Sequence, residues 1–377
     1  MAKAEKKLDI FPHIFPEAYF ERMKRIAEGN PGLAAALKRW MHIPVLWDLD
    51  QRIRMMKRWP GYQQVLTLSM PAIEFLGGEN ETPGLARLAN DGMHEIVRKH
   101  GELFPCFVAS LPMNNVAASL EEIDRAIGTL GAKGIQIFTN VNGRPLDEPE
   151  FFPIFERMAK KYDLPVWVHP SRTAKFADYP TEQKSKYEIY WLFGWPYETS
   201  AFMARMVFSQ MFEKLPNLKI ITHHLGAMAP FFVDRIGYGM DQFGTRTSDE
   251  DYAGLLKRMK KRPLDFFRMF YGDTSVNGSP SAIRCGLDFF GVDHVLFGTD
   301  CPFDPEGGPL FIRETIKTLD RMALKPGDRR KIYFGNATSM LRLQQAAGKT
   351  RRQQAAGKTR RQQAAEKTRA KAKKKKK

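Results

Sequence analysis

The sequence predicts a (β/α)8 TIM barrel, an α/β fold, formed by one large domain over residues 1–343. Two observations carry that reading. Eight short apolar runs recur along the chain, separated by stretches with helical spacing of their apolar residues. Several of the runs end in a histidine or an aspartate, and the C-terminal ends of parallel strands are where such barrels hold their chemistry.

The first run is Leu8–Phe11, followed by Gln64–Leu68, Cys106–Leu111 and Ile135–Phe138. Val166–His169, Leu218–Thr222, Arg268–Tyr271 and Val295–Phe297 complete the eight. Each is too short and too rich in β-branched or aromatic residues to be a helix. Between them, Leu120–Leu130 is apolar at Leu120, Ile123, Ile127 and Leu130, which is helical spacing. Glu150–Tyr162, Thr199–Leu215 and Pro309–Met322 read the same way, and Pro216 stops its helix before the sixth strand. Two connections are too long for the simple alternation: Glu17–Trp47 and the aromatic Arg172–Trp195. Long loops after barrel strands commonly cover the active site, so both are expected lids.

With 43% hydrophobic residues, the 377-residue chain can bury a large core. No apolar run of about 20 residues occurs, so neither a membrane span nor a signal peptide is expected. Three scattered cysteines argue against a disulfide framework and for a reducing, cytoplasmic setting. The net charge of +17 is concentrated at one end. Residues 344–377 hold 14 Lys or Arg and one acid, a net +13 that leaves +4 for the body. This tail repeats Q-Q-A-A-G-K-T-R-R from Gln344 and Gln353, varies it from Gln362, and closes on Lys373–Lys377. Having no apolar face, it is expected to be disordered or a fluctuating helix. The plain expectation is a solvated tail without a specific role, and the alternative is an electrostatic tether that attracts polyanions without specificity.

The chemistry centres on Asp293–Phe303, D-H-V-L-F-G-T-D-C-P-F, where Asp300 follows the eighth strand. His169 ends the fifth strand, His223 and His224 follow the sixth, and His13 lies just beyond the first. Each alone has a plain reading: a buried histidine is usually satisfied by a hydrogen bond, and an aspartate after Gly298 can simply form a turn. Together, two or three imidazoles and a carboxylate suit a divalent metal. Neighbours on a strand face opposite ways, so only one of His223 and His224 is expected to face the mouth.

Several motifs resemble the amidohydrolase-related family that includes aminocarboxymuconate semialdehyde and γ-resorcylate decarboxylases. They are L-D-I-F-P-H-I-F-P (Leu8–Pro16), W-D-L-D-Q-R-I-R-M-M (Trp47–Met56), V-W-V-H-P (Val166–Pro170), G-W-P-Y-E-T-S (Gly194–Ser200), the Leu215–Phe231 stretch containing T-H-H-L-G, F-G-T-D-C-P-F (Phe297–Phe303) and F-G-N-A (Phe334–Ala337). The resemblance implies His13, His169 and Asp300 as metal ligands and His224 as the proton-handling residue, with Asp300 also catalytic. It implies a pocket role for Trp191. Arg172, two residues beyond Pro170, is a candidate to hold a substrate carboxylate, although a plain surface charge is the alternative.

The sequence departs from the family at one ligand. Phe11 stands where H-x-H or E-x-H supplies the first, and a phenyl ring coordinates nothing. Asp9, on the same strand face about one pleat deeper, is a distant substitute. The resemblance therefore implies a metal-dependent non-oxidative decarboxylase, a carbon–carbon lyase, acting on a small unsaturated or aromatic carboxylic acid. Zn²⁺ is the first choice of metal, with Mn²⁺ or Fe²⁺ as alternatives. The same residues also suit a metal-dependent hydrolase of a small amide or lactone. The lost ligand leaves open a catalytically silent subunit paired with a paralogue. Two histidines with one carboxylate are also the ligand set of non-haem iron oxygenases. A homo- or hetero-oligomer is expected.

Overall fold

The computed structural model describes residues 4–246 and 249–343. The expected tail, 344–377, lies outside the described residues. The strands are β1 (Lys7–Asp9), β2 (His13–Ile14), β3 (Tyr62–Leu68), β4 (Cys106–Phe107), β5 (Ala109–Ser110) and β6 (Ile135–Phe138). They continue with β7 (Asn140–Val141), β8 (Arg144–Pro145), β9 (Val166–His169), β10 (Ile220–Thr222), β11 (Tyr271–Asp273) and β12 (Val295–Leu296). β1 and β2 are two pieces of one stave, interrupted at Pro12, which has no N–H to give a ladder. Both pair in parallel with β3. β4 and β5 form the third stave, pairing with β3 and β6 respectively. From β6 the order runs β9, β10, β11, β12, all parallel. The ring closes where Ile10 N–H donates to Phe297 O (3.0 Å) and His13 N–H to Cys301 O (2.6 Å). These are the eight expected staves; β7 and β8 form a small antiparallel hairpin outside them.

The interior is packed. Trp167, fully buried, crosses from β9 to donate its indole N–H to Ile10 O on the first stave (3.0 Å). Helices cover the outside, with Asn30 and Asn115 capping Pro31–Met41 and Val116–Gly128 through the backbone N–H groups of Leu33 and Ala118. The unit that contains the barrel closes at Ala337.

Two expected elements have other boundaries, and one expected apolar face differs. The seventh strand is Tyr271–Asp273 rather than Arg268–Tyr271, because Pro263 starts a short helix, Pro263–Phe267, and residues 268–270 are its exit. That shift puts Asp273 at a strand end. The Thr199–Leu215 helix is two helices, Gly194–Phe208 and Met211–Lys214, broken at Gln210, whose φ is +61°. In Val116–Gly128 only Ile123 of the four expected apolar positions is fully buried; Ser119, Glu122 and Ala126 share the inner face.

Candidate metal and catalytic site

Register brings the chemistry to one level. Val168 pairs with Thr222, and Thr222 with Gly272, so the next residues, His169, His223 and Asp273, stand side by side at the mouth. His223 N–H donates to Val168 O (3.1 Å), which continues this alignment past the strand. Closure of the ring sets His13 beside Asp300, with Nε2 3.1 Å from Oδ1. His13, His169, His223 and Asp300 thus meet, with ring centroids 5.2 Å apart for His13–His169 and 5.1 Å for His169–His223. The convergence expected of His13, His169 and Asp300 is present.

The expectation that only one of His223 and His224 faces the mouth does not hold. β10 ends at Thr222, and His224 adopts φ +58°, so strand alternation no longer applies. The two rings lie 3.9 Å apart, His223 buried and His224 with 23% of its side chain exposed. His223 Nδ1 contacts Asp273 Oδ2 at 2.5 Å, and its Nε2 lies 3.4 Å from Asp300 Oδ1. His224 Nε2 lies 3.7 Å from Asp300 Oδ2. Asp300 itself is held at φ +61°, a conformation uncommon for a non-glycine residue and frequent at functional sites. Gly298 allows the close packing here: a Cβ there would meet Ser275 Oγ at 2.8 Å and Asp273 Cβ at 2.9 Å.

Burial disfavours imidazolium, so His13 and His224 titrate below the ordinary histidine value and His169 well below it. His223 is the exception: burial opposes its charge, but Asp273 and then Asp300 outweigh it and push the imidazole up to about 9. For Asp300, burial works against the carboxylate, and the adjacent imidazoles of His13, His223 and His224 overcome it, holding the group well below the usual range.

The donor set fits a divalent cation. In the fully buried His13, Nε2 lies 3.1 Å from Asp300 Oδ1, and neither ring nitrogen makes a well-aligned hydrogen bond among the described residues. Buried polar atoms left this way are rare unless something else fills the gap. Two groups offer converging donor atoms, all within 4.8 Å of one another: His13, His169 and His223, and His223, His224 and Asp300. Asp9 is not the substitute ligand. Its carboxylate is fully buried and accepts from Phe11 N (3.2 Å), Thr299 N (3.2 Å), Thr299 Oγ1 (2.5 Å) and Tyr62 Oη (2.5 Å). Burial pushes it up to about 6.

The amidohydrolase family profile matches residues 39–343. The chain belongs to the amidohydrolase family. Its curated relatives include 2-amino-3-carboxymuconate-6-semialdehyde decarboxylase of Dictyostelium discoideum, 32% identical over 79% of this chain and 77% of that protein. Gamma-resorcylate decarboxylase of Polaromonas sp. is 28% identical over 78% of this chain and 88% of that protein. Among solved structures, a dihydroxybenzoic acid decarboxylase from Polaromonas with bound manganese and 2-nitroresorcinol superposes with a TM-score of 0.71. It is 25% identical and covers 90% of this chain and 98% of its own. A 5-carboxyvanillate decarboxylase from Novosphingobium aromaticivorans shares the fold with a TM-score of 0.77 at 22% identity, over 90% of this chain and 98% of that one. The family read from the motifs is the family matched.

Around this amidohydrolase site stand aromatic walls, Trp195 from the long Arg172–Trp195 connection and the others at or just beyond strand ends. Trp195 stands edge-on to His169 with centroids 5.5 Å apart, Phe138 lies 5.3 Å from His169, and Phe303 5.5 Å from His13. Arg39, on Pro31–Met41, places its guanidinium carbon 5.6 Å from the Phe303 ring centroid. Trp191 sits one layer out: its indole N–H donates to Glu188 (2.7 Å) and its ring is 6.3 Å from Trp195. Arg172 pairs with Glu198 (2.8 Å) and packs over Phe176, so its charge is already neutralised. Sequence reasoning missed Asp273 and Trp195. Trp195 was visible inside G-W-P-Y-E-T-S, whereas Asp273 was hidden by the misplaced seventh strand.

Proposed function

We propose that this amidohydrolase is a metal-dependent carboxy-lyase that removes CO2 without oxidation from a small aromatic or unsaturated carboxylic acid. One observation carries the reading: buried imidazoles and Asp300 converge at the barrel mouth beside the partly exposed His224. The decarboxylase relatives supply the reaction class. His13, His169 and Asp300 would hold a divalent cation, Zn²⁺ or Mn²⁺, which supplies a Lewis acid for a substrate oxygen. His224, oriented by Asp300 at 3.7 Å, delivers a proton to the carbon that bears the carboxylate. The bond to the carboxyl carbon then breaks, its electron pair returns to the substrate, and CO2 leaves. Phe11, Phe138, Trp195 and Phe303 keep the site apolar, which disfavours the charged carboxylate relative to neutral CO2. Trp191 and Arg172 belong to the outer rim of the same pocket.

The barrel domain is taken as 1–343 and the basic tail as 344–377, with a cytoplasmic setting supported by three free cysteines. The insertion exposes Tyr179, Tyr187, Leu192 and Phe193, each between 49% and 88%, and Tyr197 on the helix after it is 57% exposed, which supports burial against a second chain. Light scattering that finds only monomer would refute that part.

The test is CO2 release from a panel of hydroxybenzoic and unsaturated acids by protein reconstituted with Zn²⁺ or Mn²⁺. Release of acid from lactones or amides, with no CO2 from any acid, would replace this reading with hydrolysis. Oxygen uptake with iron would point to an oxygenase. Failure to retain any divalent metal would favour a silent subunit.

A further inference from the structure

We propose that His223 is a metal ligand of this chain, taking over the coordination place that Phe11 closes on the first stave. The inference rests on the metal-dependent reading above and goes beyond the ligand set His13, His169 and Asp300. Phe11 is fully buried amid the imidazoles, with centroids 5.7 Å from His13 and 6.1 Å from His169. It therefore occupies ligand space while offering no lone pair. Its ring lies flat on His223, 3.9 Å between centroids at an interplanar angle of 21°, so the lost ligand and its replacement are in direct contact. The phenyl face thereby fixes the plane of the imidazole.

The hydrogen bonds point the same way. An imidazole that ligates through one nitrogen is ordinarily held by a carboxylate or carbonyl on the other. His169 meets this condition, with Nδ1 2.7 Å from Pro170 O. His223 meets it more strongly, with Nδ1 2.5 Å from Asp273 Oδ2. Asp273 is buried and anchored in turn, its Oδ1 accepting from His224 N (3.1 Å) and Ser275 N (3.0 Å). These contacts assign the Nδ1–H to Asp273 and point His223 Nε2 into the site, 3.4 Å from Asp300 Oδ1, where a cation would take the place of the Nε2 proton. Nitrogens of His13, His169 and His223 all lie within 4.8 Å of one another, and all three side chains are buried. His224 holds no such position: it is more exposed, and no carboxylate supports a second ring nitrogen among the described residues.

The test uses the full-length chain, stripped with a chelator and titrated calorimetrically with Zn²⁺ and with Mn²⁺. His223→Ala is expected to weaken binding by at least about 100-fold, since losing a ligand exceeds the roughly 10–100-fold cost of losing its supporting partner. Asp273→Asn is expected to fall in that lower range, and His224→Ala to bind as the parent does. Adding Phe11→His to His223→Ala should recover affinity by restoring an imidazole to the first stave. Unchanged affinity in a folded His223→Ala overturns the ligand assignment and leaves the proposed function standing. No binding by the parent chain overturns both. If His223→Ala does not fold, X-ray absorption of the Zn²⁺-loaded parent decides: three coordinated imidazoles support the proposal, and two overturn it.

Discussion

Two aspartates, the fully buried Asp9 and the partly exposed Asp300, sit on adjoining staves and have opposite surroundings. Asp9 lies on the seam between the first and eighth staves, in a network whose polar atoms are spent on one another. Beyond its four hydrogen bonds, Tyr62 Oη accepts from Gln64 (2.9 Å), and Arg52 donates to Gln64 Oε1 (2.6 Å) and Val45 O (3.0 Å). Asp300 meets imidazole nitrogens at 3.1, 3.4 and 3.7 Å, and neither ring nitrogen of His13 has a well-aligned hydrogen bond among the described residues. Asp9 is fully enclosed and Asp300 17% exposed, but the larger difference is in donor chemistry. Hydroxyl, amide and guanidinium groups that satisfy each other lock a seam, while converging nitrogens left free wait for a ligand. The titration directions agree, Asp9 being raised to about 6 and Asp300 held low.

The largest effect should come from Asp300→Asn. It is expected to strip the bound cation and abolish turnover while the apo protein keeps its melting temperature. Metal content and thermal unfolding, measured on the same preparation, check this; a variant that keeps its metal breaks the contrast. Asp9→Asn should behave in the opposite way. The amide cannot accept all four hydrogen bonds, so a loss of about 1–3 kcal/mol in denaturant unfolding is expected with metal content unchanged. Loss of metal on that substitution would show that the seam is part of the site.

A third carboxyl, with no effect expected on the metal, sharpens the comparison, because Glu74 is buried and unpaired at Oε1 yet belongs to neither group of converging donors. Burial raises its carboxyl from 4.5 to about 8. The folded chain therefore binds this proton more tightly than the unfolded one. Its contribution to stability is complete below about pH 4.5 and is lost as pH rises to about 8. Glu74→Gln should leave acid stability unchanged, raise the melting temperature by several degrees at about pH 8.5, and not alter metal content. A flat melting profile in the parent chain across that window would show that Glu74 has a partner in solution.

Sequence by itself determined the barrel and where its chemistry would emerge. A strand run and its terminal residue are local features, so His13, His169, His224 and Asp300 could be placed at the mouth from short motifs alone. What those residues meet there was decided by the tertiary structure. His223 and Asp273 are 50 residues apart, and Asp9 and Thr299 are 290 apart. Register and ring closure make those neighbours, and neither leaves a periodic trace in sequence. The alternation rule failed at His223 and His224 because the strand ends at Thr222 and His224 itself is left-handed, which redirects the chain. Arg172 reads as a free cation until Glu198 folds against it, and Trp191 and Trp195 are told apart only by which ring reaches His169. Phe11 shows the division most directly. Its inability to bind metal is written in its side chain, but the imidazole lying against it comes from the opposite part of the ring, brought there by eight staves closing on themselves.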